Sequence, residues 1–132
     1  MKIVIDENLS KALARALQAL FVEEHQIIHL REKFGPKVTD STWIRALGDE
    51  GRWIVISADR RITRNKAEYN AFRSSRLIGF FLSAGLYKAS LVKQTERILA
   101  LWENIIVLSA QMEGGAMFEL PTRSSRIRQL RI

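Results

Sequence analysis

Two aspartates close two of the most apolar runs in the sequence. Ile3-Val4-Ile5 ends in Asp6, and Trp53-Ile54-Val55-Ile56 continues through Ser57 and Ala58 to Asp59. A short β-branched run that stops abruptly at an acid reads as a strand buried on both faces, with a carboxylate at its carboxyl end. In an open parallel α/β sheet, that edge is where ligands bind. Glu7 follows Asp6 directly, and Asp40 opens a stretch with helical spacing that leads into the second of these strands. Three or four carboxylates far apart in sequence could therefore converge. Like charges at such range raise one another's pKa unless a cation neutralises them. The chain has no Cys, which excludes disulfides, thiolate zinc sites and a cysteine nucleophile. Oxygen ligands favour a hard ion, Mg²⁺ or Mn²⁺. Each acid also has a plainer reading: Asp40 as a helix N-cap, Glu7 as a solvated side chain, Asp59 as a turn residue or a partner of Arg60 and Arg61.

The elements that must position these acids follow from periodicity. Strands are expected at 2–6, 26–30, 53–59, 77–82 and 105–108, with Met117-Phe118-Glu119-Leu120 as a short edge strand after the Gly114-Gly115 turn. Helices are expected at about 9–21, capped by Asn8 or Ser10, from near Asp40 to Gly51, at 65–72 and at 90–103. Apolar strands alternating with helices imply an α/β three-layer sandwich with a mainly parallel central sheet of about five strands. With 132 residues and 47% apolar residues the chain has the size and composition of one packed domain. We assign that domain to residues 1–120, followed by a basic C-terminal tail at 121–132. The longest apolar run, Leu77–Leu82, is far short of the roughly 20 residues that span a membrane. Nothing resembles a signal peptide, so a cytoplasmic protein with no membrane partner is expected.

Lys and Arg total 21 against 14 Asp and Glu, a net charge of +7. Such a field attracts phosphate backbones or other anionic surfaces. The excess is uneven: residues 60–76 hold six Arg or Lys and one Glu, and residues 121–132 hold four Arg and no acid.

The order Ile-Val-Ile-Asp6-Glu7-Asn8-Leu9-Ser10, then Asp40 with Trp43 and Ile44, then Val55-Ile56-Ser57-Ala58-Asp59-Arg60 resembles the PIN-like domain family. Members of this group open with a hydrophobic run plus Asp-Glu-Asn-Leu-Ser and later carry a hydrophobic run plus Ser/Thr-Ala-Asp. The likeness covers about residues 1–83. PIN-fold proteins are typically Mg²⁺- or Mn²⁺-dependent ribonucleases, and many are VapC-type toxins neutralised by a cognate antitoxin. The resemblance implies metal-ligand and catalytic roles for Asp6, Asp40 and Asp59, with Glu7 a further candidate ligand, and with Asn8 and Ser57 as supporting amide and hydroxyl. One departure is Arg61, which stands where many relatives place a second acid; Glu7 or Glu68 could compensate only in part.

A carboxylate-held metal would activate water and neutralise phosphate charge in phosphodiester hydrolysis. Arg60, Arg61, Arg64 and Lys66 could guide an RNA backbone toward it. Arg123, Arg126 and Arg128 in the tail could hold RNA, or dock on an antitoxin or on a second copy of the chain. His25 and His29 flank the second strand and read as packing residues. Trp43, Trp53 and Trp102 read as core. Two other functions compete. A non-catalytic RNA- or antitoxin-binding module would keep the fold and lose a ligand, which Arg61 favours. A receiver-type signalling domain would fit the acids, but it should present a Lys at the end of its fifth strand, and Leu108-Ser109-Ala110 offers none.

Overall fold

The computed structural model describes residues 1–58 and 60–130; Asp59 and the side chain of Arg61 lie outside the described residues. The chain order is β1 (Lys2–Ile5), α1 (Lys11–Phe21), β2 (Gln26–His29), α2 (Leu30–Phe34), α3 (Asp40–Glu50), β3 (Trp53–Ser57), α4 (Arg61–Arg64), α5 (Lys66–Arg73), β4 (Ile78–Leu82), α6 (Ala84–Tyr87), α7 (Leu91–Ala100), α8 (Trp102–Gln111), β5 (Met117–Leu120) and β6 (Arg128–Gln129). Among the described residues the strands form one sheet in the order β2-β1-β3-β4-β5-β6. The first five are parallel, and β6 runs antiparallel to β5.

Side chains of a strand point alternately to its two faces, and here both faces are apolar. Ile3, Ile5, Ile54, Ile56, Ile78, Phe80, Phe118 and Leu120 pack on one face against α1, α7 and α8. Val4, Trp53, Val55, Phe81 and Met117 pack on the other against α3, α4 and α5. This is the three-layer α/β sandwich expected from the sequence. The connections β2→β3 and β3→β4 cross on the α3/α5 face. The β4→β5 connection steps in the same direction along the sheet but crosses on the α1 face, so its hand is opposite to theirs, an exception to a strong rule. No helix among the described residues is long and apolar enough to cross a membrane.

Several sequence expectations need correction. Residues 105–108, expected as the fifth strand, lie within α8. Trp102, Ile105 and Ser109 are buried at helical spacing while Val107 is 51% exposed, so only one side of this β-branched run faces the core. A short apolar run is ambiguous between strand and helix, and here the helical period decides. The true fifth strand is Met117–Leu120, which lies between β4 and β6 rather than at an edge; Phe118 stacks on Phe80 with ring centroids 5.3 Å apart. The test of a receiver therefore moves to the end of β5, where Pro121 and Thr122 follow and again no Lys stands. The second strand ends at His29, and Leu30 begins α2 instead of extending it. The region expected to be one helix at 90–103 is divided at Leu101 between α7 and α8. Of the expected basic tail, Arg128–Gln129 forms β6 beside β5.

Candidate active site

The sheet order reverses at β1, which has β2 on one side and β3 on the other, so the crevice beyond the ends of β1 and β3 is the switch point of the fold. Asp6 sits there. Its backbone N–H donates to the Ile56 carbonyl (2.9 Å), which extends the β1–β3 ladder by one residue. Its side chain is only 5% exposed. Oδ2 accepts from the Ser57 hydroxyl at 2.7 Å, and Oδ1 accepts from the Glu7 backbone N–H at 2.6 Å. Asn8 completes the link between the strand ends: its Nδ2 donates to Ser57 Oγ (3.2 Å) and its Oδ1 accepts from the Ala58 N–H (3.0 Å). The Ser57 hydroxyl thus accepts from Asn8 while donating to Asp6, which fixes the carboxylate's orientation.

The loop carrying Glu7 and Asn8 is held from beneath by His29, which is 1% exposed. Its Nδ1 accepts from the Arg31 N–H (3.2 Å), which assigns the ring proton to Nε2, and Nε2 donates to the Leu9 carbonyl (2.8 Å). His29 is therefore a packing residue with a defined tautomer, as the sequence suggested.

Asp6 opens onto a cavity of about 580 Å³ whose walls include Glu7, Asn8, Asp40, Asn65 and Glu68. Asp40 arrives from the first turn of α3. It is not the N-cap: Thr39 caps the helix by accepting from the Thr42 N–H. Asp40 Oδ1 instead accepts from Trp43 Nε1 at 2.9 Å, so a tryptophan otherwise buried in the core steadies it. Glu68 comes from α5, where Asn65 caps the helix by accepting from the Glu68 N–H (3.1 Å). An Asn-x-x-Glu helix start is legible in sequence; that it faces the ends of β1 and β3 is not.

Glu7 is engaged elsewhere. Its Oε1 accepts from Arg31 Nε (3.0 Å) and from the Lys37 N–H (3.5 Å). The Arg31 hydrogen bond holds its carboxyl below the ordinary glutamate value of 4.5, outweighing a desolvation effect that pushes it up. A carboxyl group with a depressed folded-state pKa stabilises the fold fully above its unfolded pKa and loses that contribution as pH falls through the folded value. In thermal melts from pH 6 to pH 3, the advantage of the wild type over Glu7→Gln should therefore be full above about pH 4.5 and fade as the pH falls from there through the lower, folded-state value.

The basic residues divide. Arg60 and Arg64 line a second cavity of about 410 Å³ that shares Asn8 with the first. Arg60 forms an ion pair with Glu119 of β5, and the same carboxylate takes Arg128 Nη2 at 3.3 Å. Burial lowers the Arg60 pKa, with the nearby Arg128 and Arg64 charges acting the same way; the group remains a cation at neutral pH. Lys66, Arg123 and Arg126 are exposed and line neither cavity. Glu119, the residue that ties Arg60 to Arg128, carried no signal in the sequence beyond its place in an apolar tetrapeptide. Among the described residues no three carboxylate or imidazole groups cluster tightly enough to hold an ion by themselves, and Asp59, expected as a third ligand, lies outside them.

Searches of curated proteins and of solved structures found no match to this chain. A family model for the PIN-like domain, whose members are generally nucleases and typically use divalent metals, matches residues 1–84. That segment is more than half of the 132 residues and contains Asp6, Asp40 and the switch point between β1 and β3. The chain belongs to the PIN-like domain family.

Proposed function

We propose that this protein is a divalent-metal-dependent ribonuclease, and that it is the toxin of a toxin–antitoxin pair. The observation that carries the reading is that Asp6 and Asp40, brought from different elements, open onto one cavity at the switch point. The donor set fits Mg²⁺ or Mn²⁺. It consists of carboxylate, amide and hydroxyl oxygens, and Mg²⁺ usually keeps several waters while taking one or two protein carboxylates and the substrate's phosphate. Asp6 and Asp40 would hold the ion, with Asp59 as the further ligand the family resemblance implies. When bound, the metal would lower the pKa of a water and neutralise charge on the phosphate.

The chain's own residues do the rest. Ser57 and Asn8 hold the Asp6 carboxylate in one orientation, and Trp43 does the same for Asp40. Arg64, exposed and without an ion-pair partner among the described residues, attracts the RNA backbone toward the acids from the adjoining cavity. Removing an outer partner of a metal ligand typically costs 10–100-fold in metal affinity or activity. Ser57→Ala should lower cleavage by that order while the protein stays folded, as checked by rate and melting curve.

The test is cleavage of a mixed structured RNA pool by the purified protein in Mg²⁺, Mn²⁺ or EDTA. Metal-dependent products support the nuclease; growth arrest on expression, relieved by a co-expressed neighbouring small protein, supports the toxin role. Arg61 favours one other reading, a non-catalytic module that binds RNA or an antitoxin, which predicts RNA binding with no cleavage in any metal.

A further inference from the structure

The sequence contains one aromatic side chain whose placement it did not reveal. Tyr87 ends α6, is 48% exposed, and lies just beyond the segment that matches the family. It lines the second cavity together with Arg60, Arg64, Leu82 and Ala58. That cavity meets the acidic one at Asn8, so an extended ligand lying across the sheet edge would pass from the carboxylates to the tyrosine.

Tyr87 stands on a rigid support. The buried Gln94 of α7, 8% exposed, uses its amide nitrogen on the carbonyls of Leu86 (3.4 Å) and Tyr87 (3.0 Å). Ser83 caps α6, and its hydroxyl is 2.6 Å from that of Thr122 after β5. Gly85 fits tightly against the same threonine, whose Oγ1 would lie 2.9 Å from an added Cβ. A short turn pinned at both ends thus presents an aromatic ring to solvent. The three tryptophan rings are spent on packing: Trp43, Trp53 and Trp102 are at most 7% exposed.

We infer that this second cavity is a nucleobase subsite, in which Tyr87 stacks on a base of a single-stranded nucleic acid while Arg64 contacts the adjoining phosphate. The inference rests on the nuclease reading and adds to it a base-binding residue, Tyr87, outside the acidic cavity and beyond the segment that matches the family. An aromatic ring, apolar side chains and guanidinium groups lining one cavity are the chemistry that recognises a base with its phosphate, and such stacking tolerates any base.

The test is fluorescence anisotropy with labelled single-stranded RNA and DNA oligomers, with and without abasic sites, in Ca²⁺. Stacking on one base is worth a factor of roughly 5 to 150. Tyr87→Ala should weaken binding of RNA and DNA oligomers by about fivefold or more, Tyr87→Phe should match the wild type, and on abasic oligomers all three should bind alike. Equal binding of base-containing oligomers by wild type and Tyr87→Ala, or a deficit that persists on abasic oligomers, overturns the subsite. If Tyr87→Ala and wild type bind and cleave RNA equally, only the subsite fails; if the wild type binds no RNA, the nuclease reading fails with it.

Discussion

Replacing Asp6 by Asn should abolish metal-dependent cleavage while leaving a folded protein. The substitution keeps size and shape at a site that is only 5% exposed, and the amide oxygen can still accept from the Ser57 hydroxyl or the Glu7 N–H. What it removes is the negative charge that a cation needs. The Glu7 carboxylate is a poor replacement, because Arg31 Nε and the Lys37 N–H already engage its Oε1. Loss of a direct ligand should exceed the roughly 10–100-fold that losing an outer partner costs, so activity should fall by more than about 100-fold. The melting temperature should stay level or rise, since a buried carboxylate is itself costly to desolvate. Cleavage rate and thermal melting, measured on the same preparation, check both halves. An unfolded Asp6→Asn protein would mean that the carboxylate serves the fold and not a cation.

The second large effect is on stability. Gly115→Ala should cost about 3 kcal/mol or more, roughly 10–15 °C in Tm. Gly115 has φ +91°, a conformation that L side chains rarely adopt, and a Cβ built there would overlap the backbone carbonyl of Arg73. That contact is unavoidable. The Gly115 N–H donates to the Leu77 carbonyl at 2.6 Å and its own carbonyl accepts from Arg73 Nη1 at 3.2 Å, so both neighbours are fixed in place where the chain enters β5. A misplaced β5 would also disturb Glu119 and through it Arg60. Gly48→Ala is the control. It lies inside α3 with an ordinary contact of 3.5 Å to Ser75 Cβ, so the substitution should stabilise by up to about 1 kcal/mol.

Legibility in the sequence followed burial. The strands β1, β3 and β4 are apolar on both faces, and such runs announce themselves. The stop at Gly51 was equally legible, because its φ of +136° demands glycine. Ile105–Leu108 misled because β-branched residues suit strands, whereas here they sit in a helix that follows α7 after one turn residue. The placement of β5 inside the sheet depends on a crossover of unusual hand, which no local pattern encodes.

The same division holds at the site. Asp6 was legible because an acid that ends a buried strand has few other reasons to be there. Asp40 looked equally like a cap, and only the structure gives that role to Thr39 and pairs Asp40 with the Trp43 indole. Glu68 and Tyr87 come from α5 and α6. They are brought to the sheet edge by the β3→β4 crossover and by the turn after β4, so the sequence offered Glu68 only as a partial substitute for the missing acid, and nothing local marks Tyr87.

The most direct test of the central claim is calorimetric titration of Mn²⁺ into the metal-free protein, its Asp6→Asn variant and its Asp40→Asn variant. If both aspartates face one ion, the wild type binds Mn²⁺, each variant loses that binding, and Mg²⁺ competes for the same site. Equal Mn²⁺ binding by all three proteins, or none by the wild type, would contradict it.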